Sequence, residues 1–283
     1  MMERKIIDLH THSTESDGTC TPEELMSEAK RAGLNAIALT DHDTLSGIPK
    51  ARALASEYGI EFIPGVELST SYQEKEVHIV GLFLDEKNPL LCEKLDEFRK
   101  CRDARNEKMV AALQKEGFSI TMEALMAENP DCVVTRANIA RFLLNHGEIG
   151  SINEAFRKYI GDGCKCYVGR FKISPMEAVS LIKNAGGLAI LAHPLLYHMK
   201  PKELRELILT LKEAGLDGIE AIYSTYTTGD EQLVKRLAKE YDLLISGGSD
   251  FHGQNKPHIH LGTGTGHLYV PYSVLENLKS ALS

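Results

Sequence analysis

The chain has 283 residues, 43% of them hydrophobic and 25% charged, the make-up of a globular protein that buries a large core in one or two domains, which excludes a disordered chain. A formal charge of −8 argues against a broad basic surface for long DNA and leaves room for a local basic pocket that takes a small anion. Six cysteines without a regular framework fit a reducing, cytoplasmic compartment; no apolar run approaches the ~20 residues of a membrane helix, and no cleavable signal is expected before the first strand-like run.

Short β-branched or apolar runs predict seven strands, over residues 5–9, 36–40, 61–66, 77–84, 188–192, 218–222 and 243–246. Amphipathic stretches lie between them, so the expected fold is α/β, repeated strand and helix units around parallel strands, enough for a small barrel. Thr21-Pro22-Glu23-Glu24 puts a cap, a first-turn proline and two acids ahead of a helix over 25–32, and Ser174-Pro175-Met176-Glu177 does the same ahead of 178–184. Gly33, Gly186 and Gly215 fall where helices should end. The rhythm breaks between 89 and 163, where a long charged helix over 90–116 and shorter ones over 136–145 and 152–159 predict a helical insertion. Residues 1–88 and 164–283 would then form the barrel, with 89–163 folded over its mouth.

Nine residues sit at or beside the ends of the apolar runs: His10, His12, Asp17, His42, Glu67, His78, His193, Asp250 and His252. In a parallel strand and helix fold the loops after the strands share one face, so residues distant in sequence can converge there. Imidazoles with carboxylates and no thiolate suit zinc, manganese or iron and speak against a structural cysteine-type site. Nine donors exceed what one ion can use. Two or three divalent ions sharing a bridging carboxylate are expected, a site suited to phosphoester hydrolysis.

Asp-Leu-His-Thr-His-Ser, then Asp17-Gly18, Thr-Asp-His-Asp, Gly-Val-Glu, Val-His-Ile-Val-Gly, Ala-His-Pro and Ser-Asp-Phe-His resemble the successive motifs of the polymerase and histidinol phosphatase (PHP) superfamily. Residues 134–143 and 159–168 resemble the insertion of a narrower group, bacterial phosphoesterases acting on nucleoside 3′,5′-bisphosphates and on short RNA 5′ ends. The resemblance implies a distorted (β/α)7 barrel holding three divalent ions, manganese, iron or zinc. His10, His12, Glu67 and Asp250 would hold the first; Glu67 would bridge to the second, shared with His78 and His193; Asp17, His42 and His252 would hold the third. The nucleophile would be a hydroxide bridging two ions, with Asp17, His42, Glu67, His193 and His252 as the catalytic ligands.

Specificity is expected from the insertion. Arg136, after Thr135 as cap, is a candidate phosphate clamp at a helix N-terminus. Asn138 stands where the relatives carry histidine; it can donate a hydrogen bond to phosphate but cannot serve as an acid. Asp43 is a candidate to orient His42 or to accept a substrate hydrogen bond, and Lys165 and Arg170, flanking Tyr167, are candidates for a second phosphate. The expected activity is removal of a phosphate, the 3′ one, from a nucleoside 3′,5′-bisphosphate such as adenosine 3′,5′-bisphosphate, with trimming of short RNA from its 5′ end and no membrane or long-DNA partner. The alternatives are a histidinol-phosphate phosphatase, against which the insertion speaks, and a non-catalytic binding module, against which the full donor set speaks.

Overall fold

The structure, a computed structural model, describes residues 5–129, 133–169 and 173–282. All seven expected strands form: β1 (Ile7–Asp8), β2 (Ala36–Leu39), β3 (Glu61–Tyr72), β4 (Lys75–Leu82), β5 (Leu188–Leu191), β6 (Gly218–Tyr223) and β7 (Leu244–Gly248), hydrogen-bonded in that order in one sheet. Leu9 N donates to Gly247 O at 3.2 Å, and Thr11 bridges Phe251 in parallel. The sheet therefore rolls up into a nearly closed barrel.

One strand corrects the parallel expectation. β4 runs antiparallel to both β3 and β5, with Tyr72 opposite Lys75. Only Gln73 and Glu74 connect β3 to β4, both at positive φ (48° and 66°), and two residues make a hairpin and leave no length for a crossover helix. β3 also runs on to Tyr72, so Glu67 lies inside the strand and not at its end.

The helices are α1 (Pro22–Arg31), α2 (Ile48–Tyr58), α3 (Pro89–Lys115), α4 (Met122–Ala127), α5 (Arg136–Asn145), α6 (Ile152–Ala155), α7 (Pro175–Asn184), α8 (Pro201–Glu213), α9 (Thr228–Glu240) and α10 (Tyr272–Ser280). Thr21 with Glu24 and Ser174 with Glu177 form the reciprocal capping boxes that their spacing implied. Strand alternation divides the core. Ile7, Ala36, Ala38, Ile63, Val80 and Ile190 cluster with Val274 and Leu275 of α10, while Ile37 and Leu39 face Leu25, Ala29 and Ala51 of α1 and α2. α3 serves two cores. Leu91 and Leu95 pack with Ala178 and Ile182 of α7, whereas Met109, Val110 and Leu113 join Ile139 and Leu143 of α5 in a separate cluster.

Candidate metal centre

The nine donors converge at one end of the barrel. His10 and His12 follow β1, His42 follows β2, His193 follows β5, and Asp250 and His252 follow β7. Glu67 and His78 arrive differently, because the β3–β4 hairpin projects past the ends of the parallel strands. Glu67 bridges His42 in parallel, and His78 faces Ser69 across the hairpin. Antiparallel β4 thus delivers His78 from its first half to the face the parallel strands reach with their last residues. Asp43, His193 and Asp250 sit at positive φ (54°, 24° and 55°), a strained conformation for residues with a Cβ. Each backbone amide donates a hydrogen bond there: Asp43 N to Glu67 O at 3.1 Å, His193 N to the Glu220 side chain (Oε2) at 2.7 Å and Asp250 N to His10 O at 2.8 Å.

Donor spacing tests the fit to cations. His10 Nε2 is 3.3 Å from Glu67 Oε2 and 3.7 Å from Asp250 Oδ1; His12 Nε2 is 3.2 and 3.3 Å from the same atoms. A tetrahedron with metal–ligand bonds of about 2.1 Å has edges of about 3.4 Å. His10 Nε2, both nitrogens of His12, His42 Nδ1 and Asp17 Oδ1 are buried without a hydrogen-bond partner, an arrangement costly for polar atoms unless something fills the space between them. Among the described residues three groups able to hold an ion emerge: His10, His12, Glu67 and Asp250; His12, Asp17, His42 and His252; and His42, Glu67 and His78. His193 stands outside these sets, with its Nε2 3.1 Å from Glu67 Oε1. The residues fit bound metal cations.

The site's electrostatics favour cations as well. Burial opposes ionisation of Glu67, yet His78 and His10 outweigh it and hold the carboxyl well below its usual range; Asp17 is likewise held low against burial by the imidazoles that face it, His252 foremost. Burial pushes His42 down to about 3, leaving the ring neutral and ready to ligate.

Several further residues hold the donors, and Glu220, outside every motif, carried no sequence signal. Glu220, in β6 and 2% exposed, takes His10 Nδ1 on one oxygen at 3.0 Å and the His193 amide on the other. Asp8 accepts the amides of Ser249 and Gly262, each at 2.8 Å, locking β1 to the loops after β7; burial lifts its pKa to about 6. Asp41 accepts from Ser13 and Ser16 and shapes the turn behind His12. Tyr223 Oη and Lys256 Nζ, both at 2.6 Å, occupy Asp250 Oδ2 and leave Oδ1 to the centre.

Beside the centre opens a small cleft of about 180 Å³, lined by Asp17, His42 and His78 together with Arg102, Arg105, Arg136, Phe156 and Tyr167. Arg136 is the first residue of α5, with Thr135 as cap. Its guanidinium reaches Glu76 at 2.9 Å and Asp162 at 2.7 Å and lies 5.4 Å from the Tyr167 ring centre. Asn138 does not line the cleft. Its Oδ1 accepts from Thr135 and its Nδ2 donates to Asn129 at 2.9 Å, so the amide is engaged within the capping box. Asp43 holds the Ser69 amide at 3.0 Å and ion-pairs with Arg102, both partners buried. Lys165 pairs with Glu116 away from the centre, and Arg170 lies outside the described residues.

An α/β barrel that gathers six imidazoles and three carboxylates at one end, beside an arginine-rich cleft, defines a metal-dependent phosphoesterase, an enzyme that hydrolyses phosphoester bonds. The chain belongs to the PHP domain family, whose pattern matches residues 8–246. It is 41% identical over 248 residues to a 5′-3′ exoribonuclease of Haemophilus influenzae, covering 88% of this chain and 90% of that one. It is 38% identical to a 3′,5′-nucleoside bisphosphate phosphatase of Chromobacterium violaceum, with 87% of each covered. Among solved structures, an amidohydrolase from C. violaceum with bound sulfate superposes with a TM-score of 0.87 at 34% identity, covering 97% of this chain and 96% of that one. A candidate metal-dependent phosphoesterase from Bifidobacterium adolescentis gives 0.86 at 27% identity, covering 98% and 97%.

Proposed function

We propose that the protein removes the 3′-phosphate from nucleoside 3′,5′-bisphosphates, adenosine 3′,5′-bisphosphate among them, and hydrolyses short RNA from its 5′ end. The observation that carries this reading is the cleft: three arginines and two aromatic rings beside the donor cluster match a ligand with a second phosphate and a base besides the phosphate that reacts. The names of the relatives point the same way. Two or three divalent ions, manganese, iron or zinc, would be held by His10, His12, Glu67 and Asp250, by Glu67 with His78 and His193, and by Asp17, His42 and His252. Bound there, they would supply Lewis acidity at the phosphoryl oxygens and an activated water at neutral pH.

The chain's own residues do the rest. Arg136 holds the phosphate that does not react, on a helix N-terminus that favours anions. Asp43 acts on substrate indirectly, fixing the Arg102 guanidinium at the cleft wall. Phe156 and Tyr167, which line the cleft with the Arg136 guanidinium over their rings, would contact the base. The helical segment 89–163 supplies most of this recognition and covers the barrel mouth, residues 1–88 and 164–283 supplying the metal centre. Among the described residues no helix is long and apolar enough to cross a membrane. The free thiols of Cys20, Cys92, Cys101, Cys164 and Cys166 accord with a cytoplasmic location.

Phosphate release from adenosine 3′,5′-bisphosphate by manganese-loaded protein, with histidinol phosphate in parallel and the product identified by chromatography, tests the reading. Conversion to 5′-AMP is expected. Hydrolysis of histidinol phosphate with no turnover of the bisphosphate would overturn the substrate while leaving the metal chemistry in place.

A further inference from the structure

Glu76 stands between the two halves of the site. It lies on β4 two residues before His78, opposite Ser71. Its Oε1 is 3.3 Å from His78 Nε2, and its Oε2 is 2.9 Å from Arg136 Nη2. One carboxylate therefore spans a ring of the donor cluster and the guanidinium of the cleft. The other nitrogen of His78, Nδ1, points at the centre, 2.8 Å from Glu67 Oε1. An imidazole that gives Nδ1 to a cation carries its proton on Nε2 and needs an acceptor there. Glu76 is in place as that acceptor, the arrangement that fixes ring orientation and raises the basicity of ligating histidines. What differs from an ordinary supporting carboxylate is the sharing of its charge with an arginine that faces the substrate space and is braced from behind by Asp162 and Tyr167.

We propose that Glu76 is a positioning residue that couples the metal centre to the phosphate-binding arginine, so that engagement of Arg136 by an anion strengthens the hold of His78 on its cation. The physical route is a competition for one carboxylate. With Arg136 drawn to a phosphate, Glu76 places its whole charge on the His78 N–H, and the imidazole becomes a stronger donor. Linkage makes the effect reciprocal, so cation loading at His78 prepares Arg136 for phosphate. The inference rests on the reading of His78 as a ligand and Arg136 as a clamp.

The test needs no substrate. Zinc affinity of metal-stripped protein is measured against a chromophoric chelator for the wild type, Glu76→Gln, Arg136→Met and the double variant, with thermal melting as the check on folding. Glu76→Gln is expected to weaken one zinc site by about tenfold to a hundredfold. Arg136→Met is expected to tighten that site severalfold in the wild-type background and to have no effect once Glu76→Gln is present. Glu76→Asp, which keeps the charge but is too short to span both partners, is expected to abolish the Arg136→Met effect as well and serves if Glu76→Gln does not fold. Zinc affinity unchanged by Glu76→Gln, or an Arg136→Met effect that persists alongside it, would overturn the coupling alone. A wild-type protein that takes up no zinc would overturn the metal reading with it.

Discussion

Filling the centre with cations must expel protons, and the site sets how many. In the metal-free protein burial opposes charge on His12 and His78, but Asp250 and Glu67 outweigh it for the first ring and Glu67 and Glu76 for the second, and both titrate at about 9. Burial is likewise outweighed at His10 by Glu220, Glu67 and Asp250, which hold that ring well above its ordinary range. His42, near 3, is already neutral. Three rings therefore carry protons at pH 7 that ligation would displace, and saturation with zinc or manganese should release about three protons per chain from the rings, with a further one for each metal-bound water that ionises. Isothermal titration of chelator-stripped protein in buffers of differing ionisation enthalpy reads this number directly. Apparent affinity should climb from pH 7 to 9 and flatten above. The same shifts act on folding: His12 and His78 have folded pKa values raised from 6.5 to about 9, so each stabilises the metal-free protein below about pH 6.5 and loses that contribution as pH rises through 9. A rise of that size corresponds to about 3 kcal/mol per ring. Metal-free protein should melt lower at pH 10 than at pH 7, whereas protein loaded with metal should lose much less. Release of fewer than one proton at pH 7, or an affinity flat between pH 7 and 9, would refute the reasoning.

Glu220→Gln keeps the volume but removes the charge shared by His10 Nδ1 and the His193 amide; metal affinity should fall about tenfold to a hundredfold, and a chelator competition showing no change would exclude the role. Asp43→Ala strands the buried Arg102 charge and should cost about 3–5 kcal/mol in urea unfolding, most of it recovered when Arg102→Met is added; a loss below about 1 kcal/mol would show that the pair does not hold the cleft wall. At Gly248 a Cβ would lie 2.5 Å from both the Cβ and the backbone nitrogen of His10. Gly248→Ala should therefore displace the His10 ring, costing about 1–3 kcal/mol and lowering metal content measured by elemental analysis, and retention of full stoichiometry would contradict the packing.

The hairpin reversal escaped sequence reading because its turn is Gln73-Glu74, without the Asn-Gly or Asp-Gly pair that usually announces two residues at positive φ. Without that signal β3 was expected to end beside Glu67, and β4 read as one more parallel strand. Arg102 and Arg105 were hidden for another reason. α3 is rich in charge, so its arginines look solvated, yet Leu91, Leu95, Arg102, Arg105, Met109 and Leu113 follow one buried stripe at steps of three, four and seven. A charged residue in phase with an apolar stripe was the signal available. Asn138 shows the converse, since its spacing from Thr135 satisfies the capping box and leaves its amide engaged there.

What could be read along the chain was local chemistry. The period of the apolar runs set seven strands, the Thr21 and Ser174 boxes set helix starts, and imidazoles and carboxylates at run ends marked the donors, because each depends on neighbours within a few residues. Tertiary structure alone decided that Glu67 and His78 reach the site on an antiparallel hairpin, that Glu220 on β6 serves His10 on the far side of the sequence, and that α3 brings two arginines to the same cleft as Arg136. Those relations arise from barrel closure and strand direction, which set distances between residues far apart in sequence, and no local pattern encodes them.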